Sequence, residues 1–287
     1  MASLRDIRRR IKSVRNTAQI TRAMQMVAAS RMRRAQQRVI AARPYSDAIR
    51  TMLGELSQQR TESGDMPALL RVRPERHTGY IVFTSDRGLA GALNGNVLRR
   101  ATEEILARPE EAQLVTIGRK GQDFFTRRGR HINATFAGIG ERAAYDDIIP
   151  VARVATEAYA SAEVDAIYLV FPQFVSTLTQ TPTVRQLLPL EPLEQHGTPL
   201  DFIIEPNPEQ ILEMLLPRYV EVQIYQALLE TTASEHSARM VSMRNATENA
   251  QDLVASLTLT YNKARQAAIT KEITEISSAA EALAAAG

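Results

Sequence analysis

The chain has 287 residues, 44% of them hydrophobic, with aromatics held to 5% and neither Trp nor Cys. That is enough apolar material for a sizeable core, and the missing cysteine excludes disulfides, thiolate metal sites and cysteine nucleophiles while fitting a reducing compartment. A formal net charge of +3 hides an asymmetry, because residues 1–60 carry 13 Arg and one Lys against Asp6, Asp47 and Glu55, a balance of +11 that leaves −8 for the remainder.

Positions stepping alternately by three and four run through Leu4, Ile7, Ile11, Val14, Ala18, Thr21, Gln25, Ala28, Met32, Ala35, Val39 and Ala42, and all but Thr21 and Gln25 are apolar. A repeat sustained over more than five heptads predicts a coiled-coil seam, since a 3.5-residue period keeps one stripe facing one partner. The small residues along it imply close approach. Pro44 is expected to kink or end this helix, with helical residues resuming over 45–59. Gly64, Pro67 and Pro74 mark 61–74 as a linker.

The middle of the chain changes period. Apolar runs at 80–84, 114–117, 132–136 and 167–171 read as strands, and 96–107, 120–127 and 146–160 as helices, an alternation that predicts a doubly wound α/β unit. A hairpin or extended arm over 177–188 and a link rich in Pro189, Pro192 and Pro199 follow. Helical signal returns at Asn207, with Pro208 suited to a helix start. A second seam steps through Val222, Tyr225, Leu229, Met240, Met243, Ala250, Val254, Leu257, Tyr261, Ala264 and Ala268, with polar lapses at His236 and Thr247. Helices this long cannot stay isolated, and the simplest solution pairs them with each other. The expected fold class is therefore mixed α+β: a long antiparallel coiled coil of N- and C-terminal helices with a central Rossmann-like α/β domain. The boundaries are 1–60 for the N-terminal helix, 61–77 for a linker, 78–200 for the α/β domain and 201–287 for the C-terminal helix.

The longest apolar stretch, 166–171, is far short of the roughly 18 residues that a membrane span needs, and charges interrupt the N-terminus as they would not in a secretory signal. A cytosolic or peripheral protein is expected. The glycine-rich stretch SDRGLAGALNG at 85–95 follows a strand and precedes a helix, where an α/β fold binds phosphate. Its Gly88, Gly91 and Gly95 form neither G-x-G-x-x-G nor a P-loop, so it reads as a structural turn without nucleotide, and Asp86 and Arg87 as turn residues. His77, His131, His196 and His236 show no ligand spacing, so no metal is expected. Asp146 and Asp147 suit a helix N-terminus.

The basic N-terminal helix needs an acidic partner. Nucleic acid is the alternative reading, a basic coiled-coil nucleic-acid-binding protein, with an α/β enzyme bearing helical arms third. Against nucleic acid stand the seam, the absence of any aromatic residue before Tyr45, and an acidic C-terminal helix with 11 acidic against six basic residues from Glu205 onward. Pairing the two helices is expected to set opposite charges side by side while leaving Arg faces for an outside partner.

Several long blocks resemble the gamma subunit family of rotary F-type ATP synthases, of the bacterial type. They are IRRRIKSVRNTAQITRAMQMVAASRMRRAQ, the later RPY, TSDRGLAGALNGN, QTPTVRQLLPL, LLPRYVEVQIYQALLE, SEHSARMVSMRNATENAQDL and LTYNKARQAAITKEITEI. The resemblance spans essentially the whole chain. It implies a non-catalytic shaft turning inside a ring of alpha and beta subunits, with its α/β domain beside the epsilon subunit and a membrane c-ring. The chain would bind no cofactor, and would touch the membrane, at the cytoplasmic face of the inner membrane, only through that complex. It also implies partner contacts at Met24, Arg239, Gln266 and Thr270, a basic band of Arg31, Arg33 and Arg34 facing an acidic loop of beta, an upper catch at Arg265 with Gln266, and a foot on the c-ring between Phe202 and Glu205. The insertion and cysteines of redox-regulated chloroplast forms are absent, which excludes thiol switching.

Overall fold

The computed structural model describes residues 3–58, 67–108, 112–140, 143–190 and 207–285. A first helix, α1 (Leu4–Gln58), precedes β1 (Thr78–Phe83), α2 (Leu93–Ala107), β2 (Ala112–Ile117), α3 (Arg119–Arg127), β3 (Ala134–Phe136), α4 (Ile149–Ala160), β4 (Ala166–Phe174), β5 (Gln180–Leu188) and a final helix, α5 (Pro208–Ala285). Short 3-10 turns occur at Ala68–Leu70 and Asp146–Ile148. By contacts the chain divides into two compact units, one of Met1–Val27 with Met240–Gly287 and one of Ala28–Arg239.

The second unit holds a five-stranded sheet of order β3-β2-β1-β4-β5. Its first four strands are parallel, and β5 is antiparallel to β4 at the edge. β1 is central and buried at all six positions, as its sequence TGYIVF requires of a parallel strand covered on both faces. Alternation along the strands sorts the two cores. Tyr80, Val82, Leu114, Tyr168 and Val170 pack against α2 and Phe125 of α3. Ile81, Phe83, Ile117, Leu169 and Phe171 face the other way, onto α4, onto Ile49, Leu53 and Leu56 of α1, and onto Leu212, Leu216, Val220 and Leu228 of α5. Phe83 and Phe171 meet edge to face there, 6.3 Å between centroids. The helix pair therefore shares with α4 the cover of one face of the sheet. Pro172 of β4 lies opposite Pro182 of β5, beyond Val170 where the pairing with β1 ends, so the two missing amide donors fall at a sheet margin.

Within this unit α1 and α5 run antiparallel. His236 feels the charges of Arg31 and Arg34, while Tyr225, three turns earlier on α5, feels Arg38, further along α1. Pro44 neither ends nor interrupts α1. It and Ile40, whose carbonyl loses its amide partner, are both exposed, so water can take that hydrogen bond.

The first unit consists of the two helices alone. The expected stripe is the buried one: Ile7, Ile11 and Thr21 of α1, with Met243, Thr247 and Ala250 of α5, are buried, and Val14, Ala18, Val254, Leu257 and Tyr261 half-buried. The two lapses in the pattern meet each other, Thr21 Oγ1 lying 2.7 Å from Thr247 Oγ1. Each hydroxyl also lies within reach of a backbone carbonyl of its own helix, Ala18 at 3.1 Å and Met243 at 2.8 Å. Two protons serve three contacts, so one hydroxyl must donate across the seam while the other donates to its own helix. Leu4 lies 17 residues before Thr21 and Ala264 lies 17 after Thr247. Burial on α5 stops at Ala264, where an antiparallel α1 runs out. Ala268, expected on the seam, is exposed because no residue of α1 is left to face it.

Charges are compensated both along α5 and across to α1, where Arg43 lies close enough to Glu230 to favour its charged form. The carboxylates of Glu221, Glu235, Glu248 and Glu275 pair with Arg218, Arg239, Arg244 and Lys271 along α5 itself, three or four residues apart, and not across to α1. Small seam residues bring the helix axes together and leave the long charged side chains on the outer faces, where partners one turn away are nearest.

In this cysteine-free chain Thr21→Cys with Thr247→Cys should form an intramolecular disulfide on mild oxidation, whereas a Cys at exposed Lys12 in place of Thr21 should not; non-reducing gels decide. Thr21→Val alone should cost about 1 kcal/mol in chemical denaturation, and the double Thr→Val variant less than the sum of the singles.

Candidate functional site

In a doubly wound sheet the ligand crevice lies beyond the carboxyl ends of the strands, at the start of a following helix. Here that position is filled by the chain. The first three amides of α3 are bound by three successive residues after β1: Arg119 N–H donates to Asp86 Oδ1 at 3.1 Å, Lys120 N–H to the Ser85 carbonyl at 3.2 Å, and Gly121 N–H to Thr84 Oγ1 at 2.8 Å. Asp86 also accepts from Gly138 N–H at 2.9 Å with its other oxygen, tying together the loops after β1, β2 and β3. Its carboxylate stands where a phosphate would sit. Gly118 is required beside it, since its φ is +91° and a Cβ there would lie 2.0 Å from the Thr84 carbonyl oxygen.

The 85–95 loop is closed by a reciprocal pair, Ser85 N–H to Asn94 Oδ1 at 3.0 Å and Asn94 Nδ2 to Ser85 Oγ at 2.8 Å. α5 is fastened to the same edge of the sheet. Ser234 Oγ donates to the Pro172 carbonyl, Ser237 Oγ to that of Thr177, and Arg239 Nη2 to that of Gly88 at 3.2 Å. Arg239 is further held by Glu235 at 2.6 Å, both side chains nearly enclosed. So this residue, expected at a partner contact, is engaged first with its own chain.

Of the remaining candidates, Met24 is half-buried beside the seam, Arg31 is half-buried, and Arg33 and Arg34 are exposed. Among the described residues no carboxylate lies within ion-pair distance of Arg31, Arg33 or Arg34. Arg265, Gln266 and Thr270 are exposed on the part of α5 that extends beyond Ala264. Phe202 and Glu205 lie outside the described residues. The structure brings Arg31 and Arg34 together with Arg38 and His236, and sets Arg33 on another side of α1. His236 appears in the sequence only as a lapse in an apolar stripe. It is buried, and desolvation first, then the charges of Arg239, Arg31 and Arg34, push its imidazole down to about 4.

The comparisons with known proteins bear on these surfaces. A family model described as ATP synthase matches residues 3–283. The ATP synthase gamma chain of Pelotomaculum thermopropionicum is 49% identical over 285 residues, covering 99% of this chain and 100% of that one. That of Roseiflexus castenholzii is 50% identical over 289 residues, with 99% of each covered. The chain belongs to the ATP synthase gamma chain family. The fold is shared more widely: a chain of the Euglena gracilis mitochondrial ATP synthase (OSCP/F1/c-ring, rotational state 3) superposes with a TM-score of 0.70 at 19% identity, covering 98% of this chain and 94% of that one. A chain from the Tetrahymena thermophila central stalk and c-ring gives 0.61 at 23% identity, covering 79% and 99%. Among the described residues no helix is long and apolar enough to cross a membrane, and no group of His, Asp or Glu is placed to hold a metal.

Gly118→Ala should destabilise the chain by about 3 kcal/mol or more, and Asp86→Ala by about 2 kcal/mol, measured by chemical denaturation, because the first forces a backbone collision and the second orphans two amides. A second expectation follows from His236. Its folded pKa is depressed, so below pH 6.5 the unfolded chain takes up a proton that the folded chain refuses, and stability falls progressively towards pH 4 by on the order of 2 kcal/mol. Burial raises the carboxyl of Glu235, which acts in the opposite direction, so the measurement is a difference. His236→Gln should flatten the fall between pH 6.5 and 4 relative to the unaltered chain.

Proposed function

We propose that this chain is the central rotor shaft of an F-type ATP synthase, coupling proton-driven rotation of a c-ring to conformational changes at catalytic beta subunits during ATP synthesis or hydrolysis. The observation that carries this reading is the far part of α5. From Arg265 to Ala280 every side chain is exposed although the backbone stays helical, and Ile269, Ile273 and Ile276 recur there at i, i+4 and i+7. A lone helix of about 20 residues is marginal in water, and an exposed apolar stripe on it implies a surrounding partner. A ring of alpha and beta subunits is such a partner. Family membership makes the chain a subunit of an enzyme complex, and in this reading it is a non-catalytic one, binding no cofactor and leaving bond chemistry to beta.

A single asymmetric shaft presents a different face to each of three otherwise equivalent beta subunits. Each beta site is then biased by its differential contacts with the shaft, which is the way rotation can shift its nucleotide affinity. The contacts assigned to the ring are Met24, Arg31, Arg33, Arg34, Arg239, Arg265, Gln266 and Thr270, with Phe202 and Glu205 assigned to the c-ring. The epsilon subunit is the remaining partner. The chain thereby works as a peripheral protein at the cytoplasmic face of the inner membrane, reaching the bilayer only through the complex.

Contacts that form and break each turn must be individually weak, about 0 to 1 kcal/mol for an exposed ion pair. Single Arg→Ala changes at Arg31, Arg33 or Arg34 should therefore be mild. Reversing all three to Glu should impair assembly or uncouple proton pumping from ATP hydrolysis in the reconstituted complex, and the defect should shrink at high salt. Normal assembly with unchanged pumping per ATP at both salt concentrations would sink the assignment of this band to the ring.

A further inference from the structure

Arg31, Arg34 and Arg38 recur at i, i+3 and i+7, so at about 100° per residue they fall within an arc of about 60° on α1, while Arg33 lies about 160° round from Arg31. The three do not form a flat charged face. They line one cavity of about 230 Å³, whose other wall is α5 at Leu229, Thr232 and His236. We propose that this cavity is a binding site for one small multivalent oxyanion of the phosphate type, held between the guanidiniums of α1 and the imidazole of His236. This does not rest on the shaft reading, since it concerns a concavity within the Ala28–Arg239 unit.

Three observations support it. Arg31 and Arg34 line one concavity, where like charges are favoured by an anion shared between them, and their forked donors match the oxygens of a phosphate. Arg31 and Arg34 have no carboxylate of the described residues within ion-pair distance, so their charge is not already spent. Arg239 Nη1 lies 3.5 Å from His236 Nδ1, and a guanidinium only donates, so the tautomer that satisfies this contact carries its proton on Nε2, free to donate to an anion. Lowered by burial and by the same arginines, the imidazole stays neutral, and an anion beside it would reverse part of that lowering. The volume suits a phosphate or pyrophosphate with some of its water.

The test uses the full-length chain with inorganic phosphate, pyrophosphate and ATP as probes, followed by isothermal titration and by the imidazole NMR signals of its histidines. Pyrophosphate should bind once per chain and raise the apparent pKa of His236 by about one unit. Arg31→Gln and Arg34→Gln should each weaken it about tenfold, the size of one charge-assisted hydrogen bond, whereas exposed Arg50→Gln should change it less than twofold. Circular dichroism shows whether each variant keeps its helices, and Arg31→Lys, retaining charge without the fork, should bind intermediately if the fold is intact. Pyrophosphate and ATP binding alike identifies the phosphate group as what is recognised; ATP binding that persists in Arg31→Gln overturns the assignment. So does equal weakening by Arg50→Gln, which means diffuse basic attraction. No binding of any probe, or binding only of a poly-glutamate peptide, overturns it as well.

Discussion

Among the described residues, one face of the sheet, with Ile81, Phe83, Leu169 and Phe171, is covered by α4, by short segments at Leu69, Ile148 and Leu190, and by the two terminal helices. This burial is the constraint from which the second unit follows. A Phe or Leu side chain withdrawn from water contributes roughly 1.5 to 3 kcal/mol, so the helix segments 49–56 and 212–228 are parts of the domain's core and not appendages to it. The hydroxyls of Ser234 and Ser237 and the guanidinium of Arg239 then fix α5 to the carboxyl edge of the strands. A load applied to α5 in this unit is met by core packing and by hydrogen bonds to three backbone carbonyls. Rotation of the helix about its axis would break both together.

The same economy explains why a nucleotide-type fold need not hold a nucleotide. A helix N-terminus presents unsatisfied amides, and an α/β domain either offers them to a ligand or satisfies them from within. Thr84, Ser85 and Asp86 do the latter. Positive charge has been treated in the opposite manner. Glu221, Glu235, Glu248 and Glu275 of α5 take partners on their own helix, while Arg31 and Arg34 of α1 have no carboxylate within ion-pair distance among the described residues. Anion-binding capacity has in effect moved from the sheet edge to the helix pair.

Much of this was legible because a heptad stripe and a strand alternation depend on nothing but spacing. The seam from Leu4 to Ala42, the strands, and the start of α5 at Pro208 all lie where periodicity places them, although β3 begins at Ala134 and not at Ile132. What spacing could not supply was the identity of the partner at each point. Thr21 and Thr247 look like two defects 226 residues apart, and only the register makes them one interaction. Ala268 continues the pattern past the end of the helix that would have covered it. Pro44 signals a break that does not occur, because the carbonyl it deprives lies on the solvent side. The charge argument was less specific: net balances of two helices say how much charge must be neutralised, whereas side-chain reach decides with whom, so Glu248 takes Arg244 on its own helix and Glu230 feels Arg43 of α1. Arg33, which the resemblance groups with Arg31 and Arg34, lies about 160° round α1 from Arg31, a separation that helical rotation makes legible in the sequence.

The far part of α5 has a consequence for the life of the chain before it meets any partner. Ile269, Ile273 and Ile276 are exposed to 48%, 62% and 67%, a stripe of the kind that chaperones and proteases recognise and that drives unassembled chains to associate. An orphan copy therefore carries its own mark, and subunit stoichiometry can be policed by exposure alone: whichever copies find a ring are hidden from surveillance, and the surplus remains visible to it.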